Sequence, residues 1–229
     1  MKIAIIPARA GSKRIKNKNI KVFIDKPIIA YSIEAAKKTK IFDRILVTTD
    51  SEEIAEIAKS YGAIAPFIRP ANLADDYTKT IDVIIHSLQE CMKLGWSISY
   101  VCCIYPCNPF LNENDIIATF EKISSIKEGF VYPVSLYPHP IQRAMRQLGN
   151  GSMQLINPIY ETYRTQDLEK LYHDVGQFYW GSLNTWLISK KIHSNGVGYP
   201  IPKWRSVDID NNEDWMKAEY LYKITKDTE

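Results

Sequence analysis

The sequence predicts an α/β fold, a mainly parallel, Rossmann-like sheet with helices packed against it. Three observations carry that expectation. Short apolar runs recur at residues 3–6, 44–49 and 64–68, each with the length and continuity of a buried parallel strand. Segments with helical spacing of apolar residues separate them through short connections, the βαβαβ order of a mononucleotide-binding half. A loop dense in cations follows the first run directly, and open α/β sheets bind ligands outside the carboxyl ends of their strands.

Taken in order, Pro7 closes the first strand, and five basic side chains (Arg9, Lys13, Arg14, Lys16 and Lys18) then crowd one loop. Residues 21–24 read as a short extended piece. Pro27 suits the first turn of a helix that shows Ile29, Ile33 and Ala36 on one face and Lys37, Lys38 and Lys40 at its C-terminal end. After the second strand, Asp50 and Glu53 stand at capping-box spacing. Ile54, Ile57 and Ala58 make that helix's stripe, and Gly62 ends it. The third run is followed by a polar loop, 69–76, and by a helix from about 78 to 94 lined by Ile81, Ile84, Ile85, Leu88 and Met92.

Residues 99–105 read as another strand. Asn112 caps a helix that buries Ile116, Ile117, Phe120 and Ile123, and residues 130–134 form the next strand. From Leu136 to about Tyr172 the periodicity fades among aromatics and prolines. That stretch is longer than an ordinary connection, which points to a functional or interface role. Regularity returns at 176–180. Residues 204–210 read as a last strand ending in Asp208 and Asp210, after which Asp210 or Asn211 caps a terminal helix carrying Trp215, Ala218, Leu221 and Tyr222. With no repeat or linker, one domain is expected over 1–229, with an excursion at about 136–175.

Composition narrows the function classes. The 229 residues are 45% hydrophobic and 24% charged with a net charge of +3, ordinary for a globular protein and too weakly basic to imply a nucleic-acid partner. The N-terminus reads as a strand rather than a signal peptide, and no apolar run has the length of a membrane span. A cytoplasmic location without membrane partner is expected. Cys91, Cys102, Cys103 and Cys107 fit no metal-site spacing and read as small buried hydrophobes.

The chemistry rests on two stretches. The loop around Gly11 and Ser12 combines small residues with Arg and Lys, which suits a polyanion, phosphates above all. It has neither the spacing of a P-loop nor the glycine fingerprint of a dinucleotide site, so an NAD domain is not expected. Asp208 and Asp210, two apart on a strand, share one face. Two carboxylates on one face repel unless a cation or proton lies between them. Read alone they fit an acidic helix start or a Mg2+ site equally well, and the phosphate-type loop tips the reading toward Mg2+.

Together these stretches resemble the acylneuraminate cytidylyltransferases, which activate nine-carbon acidic sugars. The motif Pro7-Ala8-Arg9 through Ser12-Lys13 to Lys18-Asn19 resembles the family's triphosphate and base loop. Arg69-Pro70-Ala71 with Leu73, Ala74 and Asp76 resembles its second motif, with Thr80 at a nucleotide-contacting position. Asp208-Ile209-Asp210 resembles its metal motif, and Gln166-Asp167-Leu168 with Gly176 its later sugar and dimer region.

The resemblance implies a fold of the nucleotide-diphospho-sugar transferase type with a dimerisation and sugar-binding excursion, a homodimer, and Mg2+. It implies the reaction CTP + acidic sugar → CMP-sugar + pyrophosphate, activating the sugar for surface glycan or flagellin glycosylation. By the same resemblance Arg9, Lys13 and Lys18, with backbone at Ala8, Gly11 and Ser12, bind the triphosphate. Asn19, Arg69, Asp76 and Thr80 hold the base and ribose, and Asp208 and Asp210 hold the metal. Tyr105 stands where sialic-acid members have a glutamine, while residues 139–144 and 172–181 look like the pseudaminic acid branch. Sugar contacts are therefore expected from Tyr105, His139, Gln142, His173, Gln177 and Trp180, with Arg143 or Arg164 pairing the sugar carboxylate. The alternatives are a CMP-N-acetylneuraminate or CMP-legionaminate synthetase and, from another class, a non-catalytic nucleotide sensor.

Overall fold

The computed structural model describes residues 1–126, 128–189 and 191–226. Strand β1 (Lys2–Pro7) leads through the basic loop to a small ribbon, β2 (Val22–Phe23) with β3 (Lys26–Pro27), and into α1 (Ile28–Thr39). Then come β4 (Arg44–Thr48), α2 (Glu52–Ser60), α3 (Thr80–Lys93), β5 (Tyr100–Ile104), α4 (Glu113–Ser125) and β6 (Phe130–Leu136). The excursion carries a hairpin, β7 (Met145–Gln147) and β8 (Met153–Leu155). The chain returns through β9 (Tyr172–Asp174), β10 (Phe178–Ser182), α5 (Leu183–Ile188), β11 (Gly196–Pro200) and α6 (Asn212–Lys226).

One seven-stranded sheet has the order β11-β6-β10-β5-β1-β4, with β9 also paired to β6. β1 runs parallel to β4 and β5, and β11 parallel to β6. β10 is antiparallel to both β5 and β6, and β9 is antiparallel to β6. The sheet is mixed but mainly parallel. The period-two alternation of β1 divides its apolar run between two cores. Ala4 and Ile6 pack with Ile29, Ile33, Ile116 and Trp180 on one side, and Ile3 and Ile5 with Ile84, Leu88, Tyr179 and Trp186 on the other. A third, aromatic cluster seats α6 beside the ribbon, with Phe23 edge-on to Tyr31, Trp215 and Tyr222 at 5.5–5.6 Å. Among the described residues no helix is long and apolar enough to cross a membrane.

Three expectations change. Residues 64–68 contribute only two isolated parallel bridges, Leu46 with Ile64 and Thr49 with Ile68, because Pro66 between them has no N–H for a ladder. Ser51, not Asp50, caps α2, its hydroxyl accepting from the Ile54 N–H at 3.3 Å. Residues 204–210 form no strand. Lys203–Arg205 is a 3-10 turn and the chain beyond it runs unpaired, held by side chains: Gln177 Nε2 donates to the Arg205 carbonyl at 2.8 Å, and the Asp210 N–H to Asp214 at 3.0 Å. Asn211 caps α6, accepting from the N–H groups of Glu213 and Asp214. The last strand is instead β11, whose glycines hide it from a propensity reading. A Cβ at Gly196 would lie 2.2 Å from the Tyr132 ring and one at Gly198 2.9 Å from Val134, so these positions need glycine for close approach.

Candidate active site

A cleft of about 750 Å³ opens at the carboxyl ends of β1 and β5. Five stretches wall it: the basic loop, residues 69–80, the turn after β5, the link from β9 to β10, and residues 206–210. The strands end there, so no ladder consumes the chain's polar groups, and the loops bring charges from distant parts of the sequence together.

On one side stand Arg9, Ser12, Lys13, Arg14, Lys18 and Asn19. Arg9 Nη1 donates to the Asp75 carbonyl at 2.6 Å and Nη2 pairs with Asp76 at 2.8 Å. Lys13 Nζ reaches the same carboxylate at 2.5 Å. Hydrogen bonds from Lys13 and Arg9 hold the exposed Asp76 carboxyl below the usual range. Asp50, released from capping, accepts the Ala10 N–H at 3.0 Å. Arg69 is 3% exposed and spans the strand ends. Its Nη1 and Nη2 donate to the carbonyls of Thr48 and Ala8 at 3.3 Å, and Asp50 lies 3.9 Å away. Burial pulls the guanidinium pKa down.

Ala8 is fully buried, its N–H donating to Thr48 and its carbonyl accepting from Arg69. The Asn19 amide is committed at both ends, donating to the Arg9 carbonyl at 2.8 Å and accepting from Cys107 Sγ at 3.2 Å. Arg69, Ala8 and Asn19 thus brace the loop, Arg69 and Asn19 from positions that also line the cleft. Gly11 sits at the loop's crown with no atom within 4 Å of where a Cβ would stand. Cys107 lines the cleft too, and burial pushes its thiol up to about 12, so it stays protonated.

On the other side are Asp208 and Asp210. Arg14 pairs with Asp210 at 2.7 Å. Burial first, and then the Asp210 charge, raise the Asp208 pKa, while Lys18 opposes them. Asp208 is therefore a carboxylate whose negative charge is under-compensated. Behind it Arg205 forms a doubly hydrogen-bonded pair with Asp115 of α4. Among the described residues no group of three or more His, Cys, Asp or Glu side chains is placed to hold a metal ion.

The expected sugar contacts divide. Tyr105 and His173 line the cleft. Tyr105 O–H is 3.0 Å from Thr80 Oγ1, itself a lining residue at the start of α3, and burial pushes the phenol up to about 12. Trp180 does not reach the cleft. It is fully buried in β10, stacked on Phe42, with Nε1 donating to the Ile116 carbonyl, because β10 enters the middle of the sheet. Gln177 is 1% exposed and serves the Arg205 carbonyl. His139, Gln142, Arg143 and Arg164 lie out on the excursion. Gln142 donates to the Glu169 carbonyl, Arg143 to the Tyr160 carbonyl and Thr165, and Arg164 pairs with Asp167.

Sequence reasoning missed Asp174. Its Oδ1 accepts the Gly176 N–H at 3.0 Å, and its Oδ2 accepts Tyr179 O–H at 2.6 Å and meets His193 Nε2 at 2.8 Å. Gly176 has φ +68 there, a left-handed turn that suits glycine. The Asp-Val-Gly spacing is the one signal in the sequence that marks that turn.

A cytidylyltransferase family model matches residues 3–176, which include the whole basic side and end before the acidic pair. The chain is 38% identical over 229 residues to a pseudaminic acid cytidylyltransferase of Campylobacter jejuni, covering 99% of this chain and 98% of that one. It is 32% identical over 236 residues to a CMP-N,N'-diacetyllegionaminic acid synthase of Legionella pneumophila, covering 98% and 97%. Among solved structures, a CMP:2-keto-3-deoxy-manno-octonic acid synthetase complexed with CTP shares the fold, with TM-score 0.70 and 12% identity over 98% of this chain and 99% of that one. With a family model over most of its length and a relative 38% identical from end to end, the chain belongs to the cytidylyltransferase family.

Proposed function

We propose that this chain transfers CMP from CTP to pseudaminic acid, releasing pyrophosphate. The observation that carries the reading is the cleft itself, where a loop of cations faces a carboxylate pair across one cavity. Over the full length, the higher identity to a pseudaminic acid enzyme than to a legionaminic acid enzyme favours the sugar, as does Tyr105 at the cleft wall.

In this reading Arg9, Lys13 and Lys18 take the β- and γ-phosphates and stabilise the charge that develops on the departing pyrophosphate. Thr80 and Asn19 orient the nucleoside. The anomeric hydroxyl releases its proton to solvent and its oxygen forms the new bond to the α-phosphorus as the bond to pyrophosphate breaks, and positioning plus charge stabilisation supply most of the acceleration. Asp208 and Asp210 would hold Mg2+. The donor set fits: two carboxylates with phosphate and water completing the shell is a common Mg2+ arrangement, and the under-compensated charge at Asp208 is the site a dication would relieve. A bound Mg2+ would polarise the α-phosphate.

The excursion is read as the contact of a homodimer. Met145, Met153, Ile156 and Ile159 are each more than half exposed there, an apolar surface that a second copy would cover. His139, Gln142, Arg143 and Arg164 would then serve the contact or the partner's cleft. A reaction fed by CTP belongs in the cytoplasm.

The test is pyrophosphate release with CTP and Mg2+, offering pseudaminic, N,N'-diacetyllegionaminic and N-acetylneuraminic acids in parallel, with the product identified by mass. Turnover of pseudaminic acid above the others is expected. Turnover of another sugar alone would keep the reaction and reject the substrate. CTP binding without turnover of any would favour the nucleotide sensor.

A further inference from the structure

A second hollow, of about 520 Å³, opens beside the cleft and shares His173 and Asp174 with it. Tyr132 and Val134 of β6 and Pro200 of β11 give it apolar walls, and His193 closes one side. We infer that this hollow receives the acylamino group of the acceptor sugar, with His193 as the residue that recognises its N–H. The inference rests on the proposed reaction and deepens it.

The argument begins at Asp174. Its carboxylate is held from the backbone by the Gly176 N–H and from the core by Tyr179 O–H. The oxygen that accepts from Tyr179 also meets His193 Nε2 at 2.8 Å. In the neutral imidazole a carboxylate in that place selects the tautomer with the proton on Nε2, which leaves Nδ1 as an acceptor. The His193 ring is held edge-on to Tyr132, centroids 5.2 Å apart, so its orientation is set. Its side chain remains 58% exposed. An oriented acceptor beside tyrosine, valine and proline suits a group that combines an N–H donor with a small apolar end. An acylamino group has both, and a bare hydroxyl has only the donor.

The hollow also lies on the correct side of the reaction. It branches from the cleft at His173 and Asp174, and none of the loop cations that suit the triphosphate lines it. The same carboxylate joins the two cavities to the core, since Tyr179 packs against Tyr105 at 5.5 Å and Tyr105 reaches Thr80.

The experiment is steady-state kinetics of the full chain with CTP and Mg2+, comparing an acylamino nonulosonic acid with its analogue bearing a hydroxyl in that place. His193→Ala should raise the KM for the acylamino acceptor about tenfold, the worth of one hydrogen bond, and leave the KM for CTP and the rate with the hydroxyl analogue within about twofold. Val134→Phe, which fills the hollow from the opposite wall, should give the same selective loss. Equal losses on both acceptors, or none, with wild type active, would overturn the role of the hollow alone. Wild type inactive on both acceptors would overturn the reaction on which it rests.

Discussion

Replacing Asp115 by alanine should loosen the acidic side of the cleft without touching its basic side. Asp115 and Arg205 are 8% and 13% exposed and share two hydrogen bonds, the longer at 3.4 Å. Removing one partner of a buried pair strands the other charge and costs about 3–5 kcal/mol. In a chain of this size each kcal/mol moves the melting temperature by about 2–4 °C, so Asp115→Ala should melt about 6–20 °C lower. The catalytic consequence follows from chain order. Arg205 stands in the 3-10 turn just before the unpaired segment that carries Asp208 and Asp210, and its carbonyl accepts from Gln177. The kcat should therefore fall while the KM for CTP, which the proposed function assigns to the basic loop with Asn19 and Thr80, stays within about twofold. Circular-dichroism melts and initial-rate kinetics read both. Asp115→Leu with Arg205→Met, an apolar pair of similar volume, should recover most of the melting temperature. A melting shift under about 2 °C with unchanged kcat would refute the reasoning.

Asp208→Asn should lower turnover at least about a hundredfold and yet raise stability at neutral pH. Its folded pKa lies above the unfolded value, so the ionised form disfavours the fold. The gain should vanish as pH falls through that raised pKa, where the wild-type carboxyl is protonated, and melts from pH 7 down to pH 3 measure it. Lys18→Ala should cut kcat about a hundredfold if its ammonium meets the departing pyrophosphate; kinetics equal to wild type would return it to the solvent. Trp180→Ala should cost about 3–5 kcal/mol as a core cavity and leave the KM for the sugar within about twofold at a temperature where the variant is folded. A selective loss of sugar affinity there would contradict its placement behind Phe42 and Ile116.

The sheet was legible because its signals are local. The run 3–6 shows a buried strand whichever side each residue faces, and the stripes of α1, α3 and α4 show their buried faces. The cation loop was legible from its density alone. What escaped depends on partners distant in sequence. Asp50 has the type and position of a helix cap, but the Ala10 N–H, forty residues earlier, claims it. Trp180 is expected at the sugar from the resemblance of residues 172–181, yet the segment leaves the cleft at Gly176 and β10 enters the sheet two residues later, at Phe178. The run 204–210 alternates like a strand, but neither edge of the sheet takes it up. Asp174 is an ordinary polar residue until the fold brings Tyr179 and His193 to it.

These departures gather at the carboxyl edge of the sheet, and the charges there explain why. Arg9 and Lys13 share Asp76, and Arg14 takes Asp210. Like charges crowded into one loop repel, and three of its cations are ordered by borrowing carboxylates from elsewhere in the chain. The pairs are weak because of their surroundings: Lys13 and Arg14 are 81% and 69% exposed, and exposed pairs contribute little. In the proposed reaction a triphosphate would offer the same cations several oxygens at once, through charge-assisted hydrogen bonds, which are stronger than neutral ones. Exchange of partners is then favourable. The same exchange would free Asp210 from Arg14 for the dication that the proposed reaction requires, which couples nucleotide binding to assembly of the acidic side.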